Sequence, residues 1–236
     1  ISSAASDVYK RQVITDKKFL IEETRDLRKR RIWVFHLLLG RRINDVLSRV
    51  FAIIIGKKLK TDVFVTINDN GFTLTIPENA KLSIDEIIEK VCSTDIKELL
   101  KENLRRTELV KRRFRHTASR SFLVLRNYKG HKISVRKQQV NAQTLLRVCE
   151  EIDKDFPIIR ETYREILEDL MDIEGTKEIL KKIKNKEIKY EFAKTKYPSP
   201  FAHNLILLGD ADIILMKDRR QRLIELHEKI IKEIGK

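Results

Sequence analysis

Along the first third of the chain hydrophobic positions recur every second residue, except in one stretch where they recur every third or fourth. From Lys18, KFLIEET reads as a strand, RDLRKRR as a basic turn, and Arg31 to Leu38 as a second strand rich in branched and aromatic side chains. Together they predict a hairpin. Gly40 breaks the run, and Ile43, Val46, Leu47, Val50, Phe51 and Ile54 then mark one face of a helix over Arg41–Lys60. Val63, Val65 and Ile67 alternate with Asp62, Phe64 and Thr66. Asn70-Gly71 supplies a hairpin turn, and Phe72 to Ile76 alternates again. The expected order from Lys18 to Pro77 is strand, strand, helix, strand, strand.

After Pro77 the helical period takes over. Ser83-Ile84-Asp85-Glu86 has the form of a capping box, in which Ser83 accepts the third helical N–H and Glu86 reaches back to the cap. Helices are expected at 83–92, 95–104, 107–126, 134–151, 157–171 and 175–184. Pro157 opens one where its missing N–H costs nothing, and Gly175 separates two others. Residues 188–195 read as a short strand, Tyr197-Pro198-Ser199-Pro200 as extended chain, and 211–234 as a highly charged helix. The fold class is α+β: a small antiparallel sheet with a packed helix over 13–80, followed by a mainly helical region over 81–236 with the short strand near 188–195. Residues 1–12, ISSAASDVYKRQ, fit neither period, lack a signal peptide's apolar core and resemble translated sequencing-adapter read-through. Methionine stands only at 171 and 216, so further chain is expected upstream of Val13.

Charge changes the picture more than composition does. Of 236 residues, 50 are Lys or Arg and 35 are Asp or Glu, a formal net charge of +15, so the expected partner is a polyanion, nucleic acid first. A hydrophobic fraction of 42% argues against disorder. The runs Ile32–Leu39 and Val50–Ile55 fall well short of the ~18 residues of a membrane span. Cys92 and Cys149 form no CxxC pair and read as core residues of a reducing compartment, which fits a cytoplasmic location. No two of the glycines at 40, 56, 71, 130, 175, 209 and 235 stand two or five apart, so neither a dinucleotide fingerprint nor a P-loop is present. His227-Glu228 is followed by Ile231 where a zinc-protease helix needs His, and Ser199 lacks a nucleophile elbow. No catalytic, cofactor or metal residue is assigned to this chain.

The most informative segment is Arg105–Lys137, with basic residues at 105, 106, 111, 112, 113, 115, 120, 126, 129, 132, 136 and 137 against one acid, Glu108. On a helical wheel Val110, Phe114, Ala118, Ser121, Phe122 and Leu125 share one side. Arg112, Arg115 and Arg126 lie opposite, with Arg113 and Arg120 on a flank. Guanidinium groups in such a row can follow successive phosphates. Tyr128, set among Lys129, Lys132, Arg136 and Lys137, could stack on a base. The competing reading is a solvated helix face paired to acids such as those of Glu161–Glu174. A second basic group spans Arg25–Lys60, where Arg41 and Arg42 sit at a strand-to-helix junction suited to an anion; alternatively Gly40 serves the turn and Asn44 caps the helix. The mixed charges around Arg219, Arg220 and Arg222 read as a solvated or packing face.

His36–Asn44 (HLLLGRRIN), Arg112–His116 (RRFRH), Leu125–Gly130 (LRNYKG), Ser134–Gln139 (SVRKQQ), Asp155-Phe156-Pro157, Pro198–His203 (PSPFAH) and Leu215–Arg219 (LMKDR) together resemble the carboxy-terminal, DEAD/H-associated part of Lhr-type helicases, over almost all of Val13–Lys236. That resemblance implies a parent protein with two RecA-like ATPase domains and a winged helix, using ATP and Mg to translocate along nucleic acid. Walker A, the DExH box and the arginine-finger motifs are missing, so no ATPase residue carries over. What the resemblance transfers is an accessory role: guiding single-stranded or forked DNA, or an RNA–DNA hybrid, past a motor encoded upstream. The alternative is a free-standing basic RNA- or ribosome-associated protein.

Overall fold

β1 (Lys18–Arg25) and β2 (Arg31–His36) form the expected hairpin, with Leu20 opposite His36 and Arg25 opposite Arg31. The computed structural model describes residues 15–211 apart from Leu27 and Arg106, with residues 209–211 as backbone only. The adapter-like segment 1–12, and all of the charged helix expected at 211–234 beyond its first residue, lie outside the described residues. By internal contacts the chain divides into two compact units. One takes residues up to Thr94 and from Gly175 on, the other Asp95–Glu174. The expected divide near residue 80 marks instead where strands give way to helices.

In the first unit, α1 (Arg41–Leu59) follows β2, and β3 (Val65–Asn68) and β4 (Gly71–Thr75) complete the predicted order. The sheet runs β3-β4-β2-β1 and ends on a strand from after the second unit, β7 (Lys189–Lys194). Its first four strands are antiparallel neighbours, whereas β7 joins β1 in parallel, which makes the sheet mixed. Val46, Val50, Phe51 and Ile55 of α1 are buried, and Phe35 stacks on Phe72 at 4.5 Å between ring centroids. The β3–β4 turn falls on Asp69-Asn70, one residue earlier than Asn70-Gly71 suggests. Gly71 opens β4 at φ +151, and a Cβ there would lie 1.9 Å from the Phe35 carbonyl oxygen. Asn44 caps nothing. It is buried in the first turns of α1, where its amide donates to the carbonyls of Asn68 and Asp69, both at 3.1 Å, tying the helix to that turn.

α2 (Ile84–Ser93) starts at Ser83, whose hydroxyl accepts the Glu86 N–H at 3.5 Å. The reciprocal half of the capping box is not made, because Glu86 pairs with Lys58 at 2.6 Å. α7 (Ile173–Lys184) contains Gly175 in its first turn rather than beginning at it. After β7 an unanticipated helix, α8 (His203–Ala211), packs Leu205 and Ile206 with Ala202 against Ile32 and Val34 of β2. Glu22 of β1, with no exposed surface, collects four donors: the Ser199 N–H (2.7 Å) and hydroxyl (2.6 Å), the Thr195 hydroxyl (2.9 Å) and His36 Nε2 (3.0 Å). Burial would raise its pKa, but the hydrogen bonds from His36 and Ser199 hold it below the usual carboxylate value.

The second unit comprises α3 (Ile96–Leu104), α4 (Glu108–Arg120), the two-residue strands β5 (Asn127–Tyr128) and β6 (His131–Lys132), α5 (Val135–Ile152) and α6 (Pro157–Arg164). α6 continues into a single wider π-turn over Glu165–Leu170. Leu100, Val110, Phe114, Ala118, Leu146, Ile159 and Ile166 form its core. Cys92 and Cys149, one in each unit, are both free, half-buried and buried respectively, and burial raises both thiols.

Candidate nucleic-acid interface

α4 carries the arginine row. Val110, Phe114, Thr117 and Ala118 are its buried stripe, which orients Arg112 outward and leaves Arg115 half-buried. The helix stops at Arg120, six residues before the expected end. Ser121, Phe122, Leu125 and Arg126 therefore do not extend the helical wheel. The Phe122 N–H bonds the Ser119 carbonyl and the Leu123 N–H bonds the Ala118 carbonyl at 2.9 Å, the paired closure of a Schellman motif. Phe122 takes the left-handed position of that motif at φ +58, which costs about 1–2 kcal/mol in a residue with a Cβ. Only Val124 of the following residues turns inward; Leu123, Leu125 and Arg126 are exposed.

The next turn presents cations. Lys129 (φ +47) and Gly130 (φ +79) form the tip of the β5–β6 hairpin, in the double left-handed geometry that suits the twist of paired strands. Tyr128 is 59% exposed, with Lys129 Nζ 5.6 Å from its ring centroid. Lys132 leaves the hairpin. Ser134 then caps α5, accepting the Lys137 N–H at 3.3 Å, which sets Arg136 and Lys137 in the first helical turn with no acid among them. An open groove of about 640 Å³ runs here, lined by Leu123, Tyr128, Lys129, Lys132 and Lys137 among others.

Partners sort the basic residues into two groups. Arg113 and Arg120 both reach the buried carboxylate of Glu165 at the start of the π-turn, Arg113 at 3.3 Å. These two arginines hold α4 against that turn. Arg112, Arg115, Arg126, Lys129, Lys132, Arg136 and Lys137 have no carboxylate within ion-pair distance among the described residues. His116 registers the resulting field. Burial first, then Arg115, Arg113, Arg126 and Arg120, push its pKa below the usual imidazole value. A neutral ring is consistent with Arg115 donating to His116 Nε2 at 3.3 Å.

Several arginines outside this segment are paired. In the first unit Arg25 pairs with Glu78, Arg30 with Asp26 (2.6 Å), Arg31 with Glu23 (2.7 Å) and Arg49 with Asp45 (2.7 Å). Arg41 and Arg42 are exposed at the first turn of α1, after Gly40 at φ +80, in the unit that does not carry α4. A larger groove of about 700 Å³ between α3 and α6 is lined by both signs, with Arg105 on Glu150 at 2.8 Å and Arg164 on Glu161 at 2.7 Å. Among the described residues no three His, Cys, Asp or Glu side chains gather to hold a metal, and no helix is long and apolar enough to cross a membrane. Sequence reading missed Glu165 as a specific partner and Phe122 as an exposed residue. The acidic stretch hinted at the first, and no glycine at 122 signalled the second.

The DEAD/H associated family matches residues 13–202. The chain is 46% identical over 220 residues to the ATP-dependent helicase Lhr-Core protein 2 of Thermococcus barophilus, covering 93% of this chain and 25% of that protein. It is 26% identical over 206 residues to the Lhr helicase/uracil glycosylase of Escherichia coli, covering 85% of this chain and 13% of that protein. The helicase Lhr of Mycobacterium smegmatis, solved bound to ssDNA and AMP-PNP, superposes with a TM-score of 0.66 at 26% identity, over 81% of this chain and 24% of that one. The chain spans about a quarter of the length of the archaeal relatives it matches.

Proposed function

Since the chain belongs to the DEAD/H-associated family, we propose that it serves as an accessory region of an ATP-driven helicase and that its second unit holds a single nucleic-acid strand by the phosphates. One observation carries this reading: among the described residues, seven cations from Arg112 to Lys137 remain without acid partners, on a surface where Arg113 and Arg120 share the one carboxylate of Glu165. Exposed guanidinium and ammonium groups gain little from isolated acids in water but release condensed counterions when they meet a phosphate backbone. The relatives are named as helicases and one was solved with ssDNA, which supports a strand as the ligand.

ATP chemistry is assigned outside these residues, since the glycine spacing offers no phosphate-cradling loop. Within the chain each residue's task is electrostatic: Arg112 and Arg115 from α4, Arg126 before the hairpin, Lys129 and Lys132 in it, and Arg136 and Lys137 from α5 supply the cations, of which four or five meet phosphates at one time. The test is a salt titration of oligothymidine binding. Log affinity should fall with log salt at a slope of about −3, as four or five contacts at roughly −0.7 each require. A salt-independent affinity would overturn the reading. The same preparation should hydrolyse no ATP above background with the strand present, and strand-stimulated turnover would place a motor site where none is assigned.

A further inference from the structure

Phe122 is out of place for a residue selected by folding alone. It fills the position of the Schellman motif that glycine normally takes, because φ +58 crowds a Cβ. The other non-glycine residues at positive φ among the described residues are Lys29, Lys60, Lys129 and Lys186, whose long polar side chains suit an exposed turn. Phe122 is the only apolar one. Its ring recovers nothing by burial, being 84% exposed, while Val124 two residues on is 3% exposed and anchors the loop. A strained backbone that displays a large aromatic to solvent is a local cost without a local return, a mismatch that points to function.

We propose that Phe122 is a base-stacking residue: its ring packs on an unpaired base of the strand whose phosphates the neighbouring cations hold. The inference rests on the phosphate-binding reading above and adds a preference for unpaired over paired nucleic acid. A base face is open to a ring only when the base has left its own stack, so duplex offers Phe122 nothing. Charge decides between a base and an apolar protein surface as the occupant. Arg126, Lys129 and Lys132 follow on the same loop without acid partners among the described residues, and an apolar partner would strip water from them without compensation. A nucleic-acid strand answers both features at once, presenting phosphate to the cations and a π-face to the ring. Stacking of this kind tolerates any base, so no sequence preference is expected from it.

The test compares the 236-residue chain with Phe122→Gly and Phe122→Trp on two probes, an oligothymidine strand and an abasic strand of the same length. Phe122→Gly should lose about 5- to 100-fold in oligothymidine affinity with its salt slope unchanged, because a ring is removed and no phosphate contact is. Its thermal midpoint should rise by about 2–8 °C as the left-handed strain is relieved. Phe122→Trp should bind as tightly as the parent. On the abasic strand the parent and Phe122→Gly should bind alike. Equal affinity of the parent and Phe122→Gly for oligothymidine, or an equal loss by the variant on both probes, overturns the stacking inference. So does a lowered midpoint with affinity unchanged, which would show the ring packing on protein. If the parent shows no salt-dependent affinity for either strand, the phosphate reading falls as well; if that slope stands and only the ring effect is missing, stacking alone falls.

Discussion

Glu165 is the residue on which the basic surface is divided. Its buried carboxylate engages half-buried Arg113 and exposed Arg120, so Glu165→Gln should free both guanidinium groups for phosphate. The salt slope for a single strand should then steepen by about 0.7–1.4, one or two further phosphates. The change should also cost some stability, on the order of 1–2 kcal/mol for charged hydrogen bonds whose arginines can reach water. A salt titration and a denaturant melt of the same variant check both. His116 provides a second readout. Its pKa lies below the usual value because burial and four arginines oppose the imidazolium. A bound phosphate backbone would cancel the arginine part and raise that pKa, so protonation is favoured in the complex. Affinity should therefore increase as pH falls from the bound toward the free pKa of His116, and the trend should vanish in His116→Ala. An NMR titration of the imidazole with and without strand measures the shift directly.

At the scale of elements, α4, the hairpin and the first turn of α5 carry the cations of the proposed surface, which substitution in sets can separate from net charge. Changing Arg112, Arg115 and Arg126 to Ala should remove about two units from the salt slope, whereas changing Lys57, Lys181 and Lys182, exposed lysines of the other unit, should leave it nearly unaltered. Equal losses would reduce the surface to generic attraction. The elements themselves were largely legible, because their signals are local. The apolar faces of α1, α2, α3 and α5 and the alternation of β1 to β4 each lie within a few residues of chain. What escaped was non-local or lacked a marker. Ser121, Phe122 and Leu125 keep the helical spacing past Arg120, and only the left-handed turn at Phe122, unannounced by a glycine, ends the helix. The π-turn at Glu165, the contact of Arg113 and Arg120 with it, and the four donors around Glu22 depend on residues tens of positions apart. No periodicity encodes those.

For the molecule as a whole, Glu22 is where the first unit is closed. Burial opposes its charge, and the hydrogen bonds from His36 and Ser199 outweigh that cost. With a folded pKa below the unfolded one, Glu22 contributes stability that is complete above the ordinary glutamate range and is lost as pH falls through the folded value. Glu22→Ala should cost about 3 kcal/mol or more by stranding buried donors, and it should remove that acid-side decline from a stability-against-pH curve. The donors arrive late. Thr195 and Ser199 follow the whole second unit in the chain, as does β7, the strand that covers β1. On a translating ribosome adding roughly 5–20 residues per second, β1 waits on the order of ten to thirty seconds for its parallel neighbour. Throughout that interval it is an open sheet edge bearing Phe19, Leu20 and a carboxylate that lacks three of its four donors. Nascent chains halted after Glu174 should therefore be captured by holdase chaperones or aggregate, those extended past Ser199 should be released soluble, and ribosome-bound chains stalled at the two lengths would measure the difference.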